Sequence, residues 1–348
     1  MTWVKGGIRS VILLMCFVML FSGTAFARLG SDHYLPHEFE YADIVCKAVV
    51  ASIRSGDTIN IGGIVRPASV MALKIVSVVK GDLPSDKVDV IVPDTRFDPL
   101  APSLPEGKTF LVFIKKENGR YLFCNYDPYG IPMTPDKLDY TGAKESTGHL
   151  KKELLAALES NDMHVVLPAI TAVGDMHFED LADKLRSLDV SRDTEVFWRA
   201  LIARAQLGDV GAFEQFVDWI LNARDGMTKD AEAKLISVLL KSGTHNLSND
   251  MMPSVKMLAD VNRRYLCSAA VYALRHLDAR SNVDVFMRVL QNSQDIETQY
   301  QCIIGLATGT GMISVCPGYA QFQQEPQRHI GFWRDWWEQD GKRAWGGG

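Results

Sequence analysis

Apolar runs that end at nearly equal intervals constrain this chain more than any other feature. Gly174 before Asp175, Gly208 before Asp209 and Gly243 before Thr244 each close such a run, 34 and then 35 positions apart. The next equivalent break, Leu277-Asp278, falls one interval later. A period of roughly 20 to 50 residues marks a repeat architecture, in which each unit buries its apolar face only by stacking on the next. Within the intervals the apolar spacing is helical. Phe178, Leu181, Ala182, Leu185 and Leu188 recur at i, i+3, i+4 and i+7. So do Phe213, Phe216, Val217, Ile220 and Leu221, and again Leu266, Ala269, Ala270, Ala273, Leu274 and Leu277. Four or five pairs of amphipathic helices are expected over residues 150–310, making a self-supporting α-helical solenoid.

Upstream the period changes from helix to strand. The stretch from Asp43 to Ile53 is rich in β-branched residues and runs into the turn signal Ser55-Gly56-Asp57. Leu73, Ile75 and Val79 are expected on one face of a second strand that ends at Lys80 before Gly81. Val88, Val90 and Val92 alternate with Asp89 and Ile91 until Pro93 stops them. The run from Phe110 to Ile114 has no alternation, as in a strand buried on both faces. Asn118-Gly119 is a hairpin dipeptide, and Tyr121 to Cys124 returns as its partner. Strands this closely spaced, without a long helix between them, predict a small all-β barrel. The fold class is therefore a β barrel followed by an α solenoid.

Three short motifs carry a resemblance. Ala42-Asp43-Ile44-Val45, Val79-Lys80-Gly81 and the run from Pro105 to Phe113 resemble the netrin-like domain of bacterial exported proteins, over residues 41–133. That resemblance implies an OB-type barrel, as in tissue inhibitors of metalloproteases. In those inhibitors a Cys at the mature N-terminus chelates the target's zinc. This chain would start at Arg28 and has no later Cys before Cys46, so the inhibitory mechanism does not carry over. The length of the helical units and their Ala-rich inner helices resemble HEAT-type repeats.

The start of the chain is of another kind. Lys5 and Arg9, the uncharged apolar run from Val11 to Phe21 and the small-x-small triplet Ala25-Phe26-Ala27 read as a secretory signal peptide cut after Ala27. The apolar run is shorter than the ~20 residues of a spanning helix, which argues against an uncleaved anchor. Losing Lys5 and Arg9 takes the formal charge from −5 to −7. An acidic chain without clustered Lys and Arg gives no general reason to expect nucleic acid. The expected organisation is signal peptide 1–27, barrel domain 28–141, linker 142–149, repeats 150–310, a loop and Trp-rich capping helix 311–341, and a flexible tail 342–348. The expected location is extracytoplasmic, periplasmic or secreted, with no stable membrane span after cleavage.

That compartment permits disulfides. Five cysteines remain after residue 27, so at least one has no partner within the chain. Cys46 with Cys124, in the first and last strands, and Cys267 with Cys302, one repeat apart, are the disulfide candidates; each pair reads equally as buried thiols. His33 and His37, beside Glu38, are a weak metal candidate at i, i+4, where Pro36 weakens the helix that would align them. Trp333, Arg334, Trp336 and Trp337 read either as an interface or as the cap of the solenoid's open end. No catalytic residue, resident metal or cofactor is assigned, because no phosphate loop, nucleophile elbow or zinc motif is present. The expected function is a non-catalytic binding or scaffold protein with a cell-envelope protein as partner. The alternatives are a regulator or inhibitor of an extracytoplasmic hydrolase acting through the barrel, and an enzyme with a site between the two modules.

Overall fold

The computed structural model describes residues 35–61, 64–93, 105–124, 131–143, 145–188, 193–223, 229–240 and 247–345. The expected signal peptide, 1–27, lies outside them. The chain is a five-stranded β barrel followed by an α-helical solenoid. The described residues divide into two compact units between Phe216 and Val217. The expected linker at 142–149 is not that division. A helix already starts at Ser146, and the barrel shares its core with the first helices.

The barrel is built from β1 (Ile44–Ile61), β2 (Ile64–Lys80), β3 (Lys87–Pro93), β4 (Thr109–Glu117) and β5 (Arg120–Cys124). Strand order β1-β2-β3-β5-β4 is closed by antiparallel pairing of β1 with β4, and β3 meets β5 in parallel. A two-residue strand β6 (Ile131–Pro132) adds to the outside of β4. Ile44, Cys46, Ala48 and Val50 of β1, Val88 and Val90 of β3, and Phe110, Val112 and Ile114 of β4 fill the interior. Asn118 and Gly119 adopt φ of 49° and 75°, as the hairpin between β4 and β5 requires.

Two local expectations change. Ser55-Gly56-Asp57 is not a turn: β1 continues through it with a register irregularity between Ser55 and Thr58. Gly56 is needed there for space, since a Cβ would lie 2.9 Å from the Ala68 carbonyl oxygen. Leu73, Ile75 and Val79 do not share a face. Leu73 and Ile75 pack on the barrel interior, whereas Val79 belongs to the outer core, because β2 has register shifts opposite Val45–Cys46 and Lys47–Ala48.

The outer face is covered by α1 (Leu35–Tyr41), α2 (Ser146–Leu158) and α3 (Met163–Asp175). Leu111 and Phe113 of β4 pack outward with Leu35, Phe39, Leu150 and Leu154, which explains why the 110–114 run shows no alternation. Pro36 does not prevent α1, since it stands in the first turn, where its missing N–H has no helical acceptor anyway.

The helices then follow in chain order as α4 (Ala182–Arg186, preceded by a 3-10 turn), α5 (Thr194–Gln206), α6 (Val210–Asn222), α7 (Lys229–Leu240), α8 (Met252–Ala259), α9 (Arg264–Asp278), α10 (Val283–Asn292) and α11 (Ile296–Thr310). Counted in chain order with α2 and α3, the described helices fall into five successive pairs; the breaks at Gly174, Gly208 and Leu277-Asp278 fall at the ends of second helices, and Gly243-Thr244 lies outside the described residues. Second helices stack on one another: α3 on α5 in the N-terminal unit, and α7 on α9 and α9 on α11 in the C-terminal unit. Glycine supports this in different ways. A Cβ at Gly174 would meet the Ala203 Cα at 2.9 Å, so its absence lets α3 approach α5. Gly208 instead follows α5 with φ of 89°, a left-handed helix end.

The C-terminal end departs from expectation in detail. The segment 311–341, expected as a loop and one capping helix, holds a short α12 (Tyr319–Gln324) before the last long helix, α13 (Pro326–Trp336). A π turn, Trp337–Gly341, leads into α14 (Lys342–Trp345), where a flexible tail was expected. Helix α13 packs on α10 and α11, the last pair of the array.

Candidate functional site

The most connected polar cluster of the N-terminal unit is buried and had no signal in sequence spacing. Alternation along β1 sends Cys46 and Ala48 into the barrel and Lys47 outward, against α2. On α2, Glu153 lies on the same face as Leu150, Leu154 and Ala157. The Lys47 Nζ donates to Glu153 Oε2 at 2.7 Å and also to the Asp136 carbonyl, and both side chains have no solvent exposure. The other Glu153 oxygen accepts from Tyr140 at 2.5 Å and from Ser77 at 3.2 Å. Burial, then the bond to Glu153, pushes the Tyr140 phenol up. Tyr140 stacks on His149, with ring centroids 4.4 Å apart. The His149 ring nitrogens lie 3.1 Å from the Val79 carbonyl and 3.2 Å from the Ala143 carbonyl. With Lys47 and Glu153 closed off from solvent, this is a clasp between barrel and helix rather than a place for substrate.

Each unit has an open cleft among its described residues. In the N-terminal unit, a cleft of about 590 Å³ lies between the start of β4, β6 and the turn joining α2 to α3, lined by Phe110, Met133, Pro135, Val165, Lys108 and His164 among others. Asp162 also borders it, but its carboxylate caps α3 by accepting from the His164 backbone N–H at 2.9 Å. One exposed imidazole beside a capping carboxylate gives no nucleophile–base pair.

The second cleft, about 660 Å³, lies in the C-terminal unit between the turns of the fourth and fifth helix pairs. Its walls carry Asp260, Asn262, Arg263 and Arg264 from the turn between α8 and α9, and Asn292, Gln294 and Asp295 from the turn between α10 and α11. The charges are engaged within the fold. Arg264 pairs with Asp295 at 2.6 Å, and Asp260 accepts two bonds of 2.9 Å from Arg288. Arg263 reaches Glu232 and the Ile220 carbonyl, each at 3.2 Å. Asp295 also caps α11 through the Thr298 N–H at 2.9 Å. The Asn262, Asn292 and Gln294 amides have no protein partner among the described residues.

The residues singled out in the sequence are placed as follows. His37 is exposed on α1 and stacks on Tyr41, ring centroids 6.2 Å apart, while His33 lies outside the described residues. No group of three metal-ligating side chains occurs among the described residues. Cys46 and Cys124 do not bridge. Cys46 faces the barrel interior and Cys124 the outer core, because they pair with Val112 and Phe113, adjacent and oppositely directed positions of β4. Cys267 and Cys302 are on the stacked helices α9 and α11 but are free thiols, Cys267 bonding the Ala259 carbonyl instead. Burial pushes the Cys46 thiol up to about 12; burial and then the charge of Glu38 take Cys124 to about 12; burial and then Asp260 take Cys267 to about 11. At pH 8 the native Cys46 is therefore expected to react with a disulfide reagent at least about 100-fold more slowly than in denaturant, followed by mass spectrometry; equal rates would contradict the burial. The intact mass should not change on adding reductant.

Trp333 and Trp337 are 1% and 8% exposed, so they belong to the core of the cap and are not available as an interface. Trp336 is half-buried between Trp333 and Trp345, at 5.3 and 5.7 Å, and Arg334 is exposed.

The fold defines the protein's class as a barrel joined to a helical repeat array. No family model matches the chain, and no curated protein does. Several solved structures resemble it at low similarity, two of them repeat or engineered proteins. One, an engineered protein, shares 18% identity at a TM-score of 0.32, over 48% of this chain and 81% of that one. The other, a designed armadillo repeat protein, shares 18% identity at a TM-score of 0.31, over 49% of this chain and 88% of that one. Neither says what this chain does.

Proposed function

We propose that this is a non-catalytic binding or scaffold protein that engages a protein partner of the cell envelope through its helical solenoid. The observation that carries this reading is the cleft between the turns of the fourth and fifth pairs. Its volume, about 660 Å³, is that of a ligand site. Its charged groups are engaged within the fold, while Asn262, Asn292 and Gln294 present amides that can both donate to and accept from an extended backbone. The stacked second helices support a HEAT-type reading of the repeats, and the strand order β1-β2-β3-β5-β4 supports a netrin-like reading of the barrel, since an OB-type barrel has that order. Export rests on the sequence of residues 1–27; mature protein sequenced from the N-terminus should begin at Arg28.

Full-length protein carrying a photo-crosslinking residue at Asn262 or at Gln294 is expected to give one discrete adduct with an envelope protein. The same residue at Arg120, exposed on the barrel hairpin, should not give it. No adduct, or equal labelling from Arg120, would remove the support for this reading. The apolar cleft beside β4 and β6 supports a second reading, regulation of an extracytoplasmic hydrolase. It is tested with the whole chain against a protease panel, because residues 28–140 alone would expose the outer core; no inhibition removes it.

A further inference from the structure

The half-buried arginine of α9, Arg275, lacks what nearly every other arginine of the described helices has. Arg199 pairs with Glu195, Arg204 with Asp209, Arg263 with Glu232, Arg264 with Asp295 and Arg288 with Asp260. No carboxylate lies within ion-pair distance of Arg275 among the described residues, and its partners are neutral. Nη1 donates to Gln301 Oε1 at 2.7 Å, Nη2 faces His276 Nε2 at 3.1 Å, and the guanidinium lies 4.9 Å above the Tyr272 ring. Arg280 and Arg334 also lack an acid, but both are exposed, where water compensates the charge.

A guanidinium has five N–H donors in a planar fork, and this one uses two. Burial works against its charge first, and Tyr272, Tyr300, Cys316 and Glu297 offset that only partly. Glu297 acts on it only through space and through Gln301, which donates to Glu297 Oε1 at 2.9 Å while accepting from Arg275. Around the fork stand aromatic side chains: Tyr272, whose ring lies 4.4 Å from that of His276, and Tyr300, 4.9 Å from Tyr319. Tyrosine beside arginine is the composition of interface hot spots.

We propose that Arg275, with Tyr272, His276 and Gln301, is a receptor for a carboxylate on an acidic peptide segment of the protein partner. Charge complementarity selects the acid, since a carboxylate accepts from the free side of the fork in the bidentate geometry that neutral partners cannot supply. The tyrosines supply apolar contact on either side. The inference rests on the binding reading above and names the chemistry of its partner.

The test uses the full chain and a fluorescein-labelled peptide of alternating Glu and Tyr, read by anisotropy. Wild type is expected to bind it, and the peptide with Gln in place of Glu to bind at least tenfold more weakly. Arg275→Gln should lose at least tenfold in affinity. Arg275→Lys, which keeps the charge but not the fork, should lose at least threefold with an unchanged melting curve. Arg199→Gln, which lies outside the cleft and is paired with Glu195, should bind as wild type. No binding by wild type, equal binding by Arg275→Gln, or preference for the same peptide with phosphoserine in place of Glu would overturn the proposal. If those outcomes occur while the Asn262 crosslink persists, this inference fails and the binding reading stands.

Discussion

Lys47→Met should lower the melting temperature of the N-terminal unit by on the order of 10 °C, although it changes one residue of a β-strand for another of similar length. The variant leaves the Glu153 carboxylate wholly buried with its cation gone. Breaking a buried pair by removing one member costs about 3–5 kcal/mol, because the remaining charge has neither water nor a partner. For a unit of this size each kcal/mol moves the transition by roughly 2–4 °C. Ser77 and Tyr140 still donate to Glu153, which keeps the loss near the lower figure. The double variant Lys47→Met, Glu153→Leu should recover more than half of it, since an apolar pair of similar volume carries no desolvation penalty and the Tyr140 and Ser77 hydroxyls, 2.9 Å apart, can satisfy each other. Calorimetry on the whole chain reads both. A single variant within about 1 kcal/mol of wild type would mean that the clasp does not hold the barrel to α2.

Trp333→Ala is expected to cost about 3–5 kcal/mol in the C-terminal unit, the usual range for emptying a large aromatic site. The indole is 1% exposed and sits edge-on to Phe332 and Trp336 at 5.4 and 5.3 Å. Its removal opens the seal that α13 places over α10 and α11, and an uncapped terminal pair exposes the face its successor would have covered. Arg334→Ala, one position along and exposed, should stay within about 0.5 kcal/mol of wild type. Urea melts of the two variants separate a cap from an interface. Unchanged stability in Trp333→Ala together with lost partner binding would assign the tryptophans to recognition instead.

Much of the fold was legible residue by residue. The alternation of Val88, Val90 and Val92, the Asn118-Gly119 hairpin and the helical spacing of Phe213, Phe216, Val217 and Ile220 each report a backbone geometry that repeats within a few residues. The even break between repeats was legible too, but its cause was not. Gly174 serves close packing and Gly208 a left-handed backbone, and nothing in the letters distinguishes the two. Cys46 and Cys124 looked like a pair because their strands are neighbours through β4. Which way each side chain points depends on register, and a one-residue difference reverses it. The candidate site was the least legible part. Asn262 and Gln294 are ordinary turn residues until the two turns are set side by side, and Arg275 is an ordinary helix residue until its neighbours prove to be neutral.

The two periodicities, the order of barrel and solenoid, and the phase of the repeat are written in the residue order, because these follow from dihedral geometry and from which faces must leave water. It took the packed chain to bring Lys47 to Glu153 across 106 positions, to give the barrel and first helices one core, and to leave Arg275 without an acid among the described residues. Those are matters of which faces meet, and a charge has no sign of its partner until the chain has brought the two surfaces together.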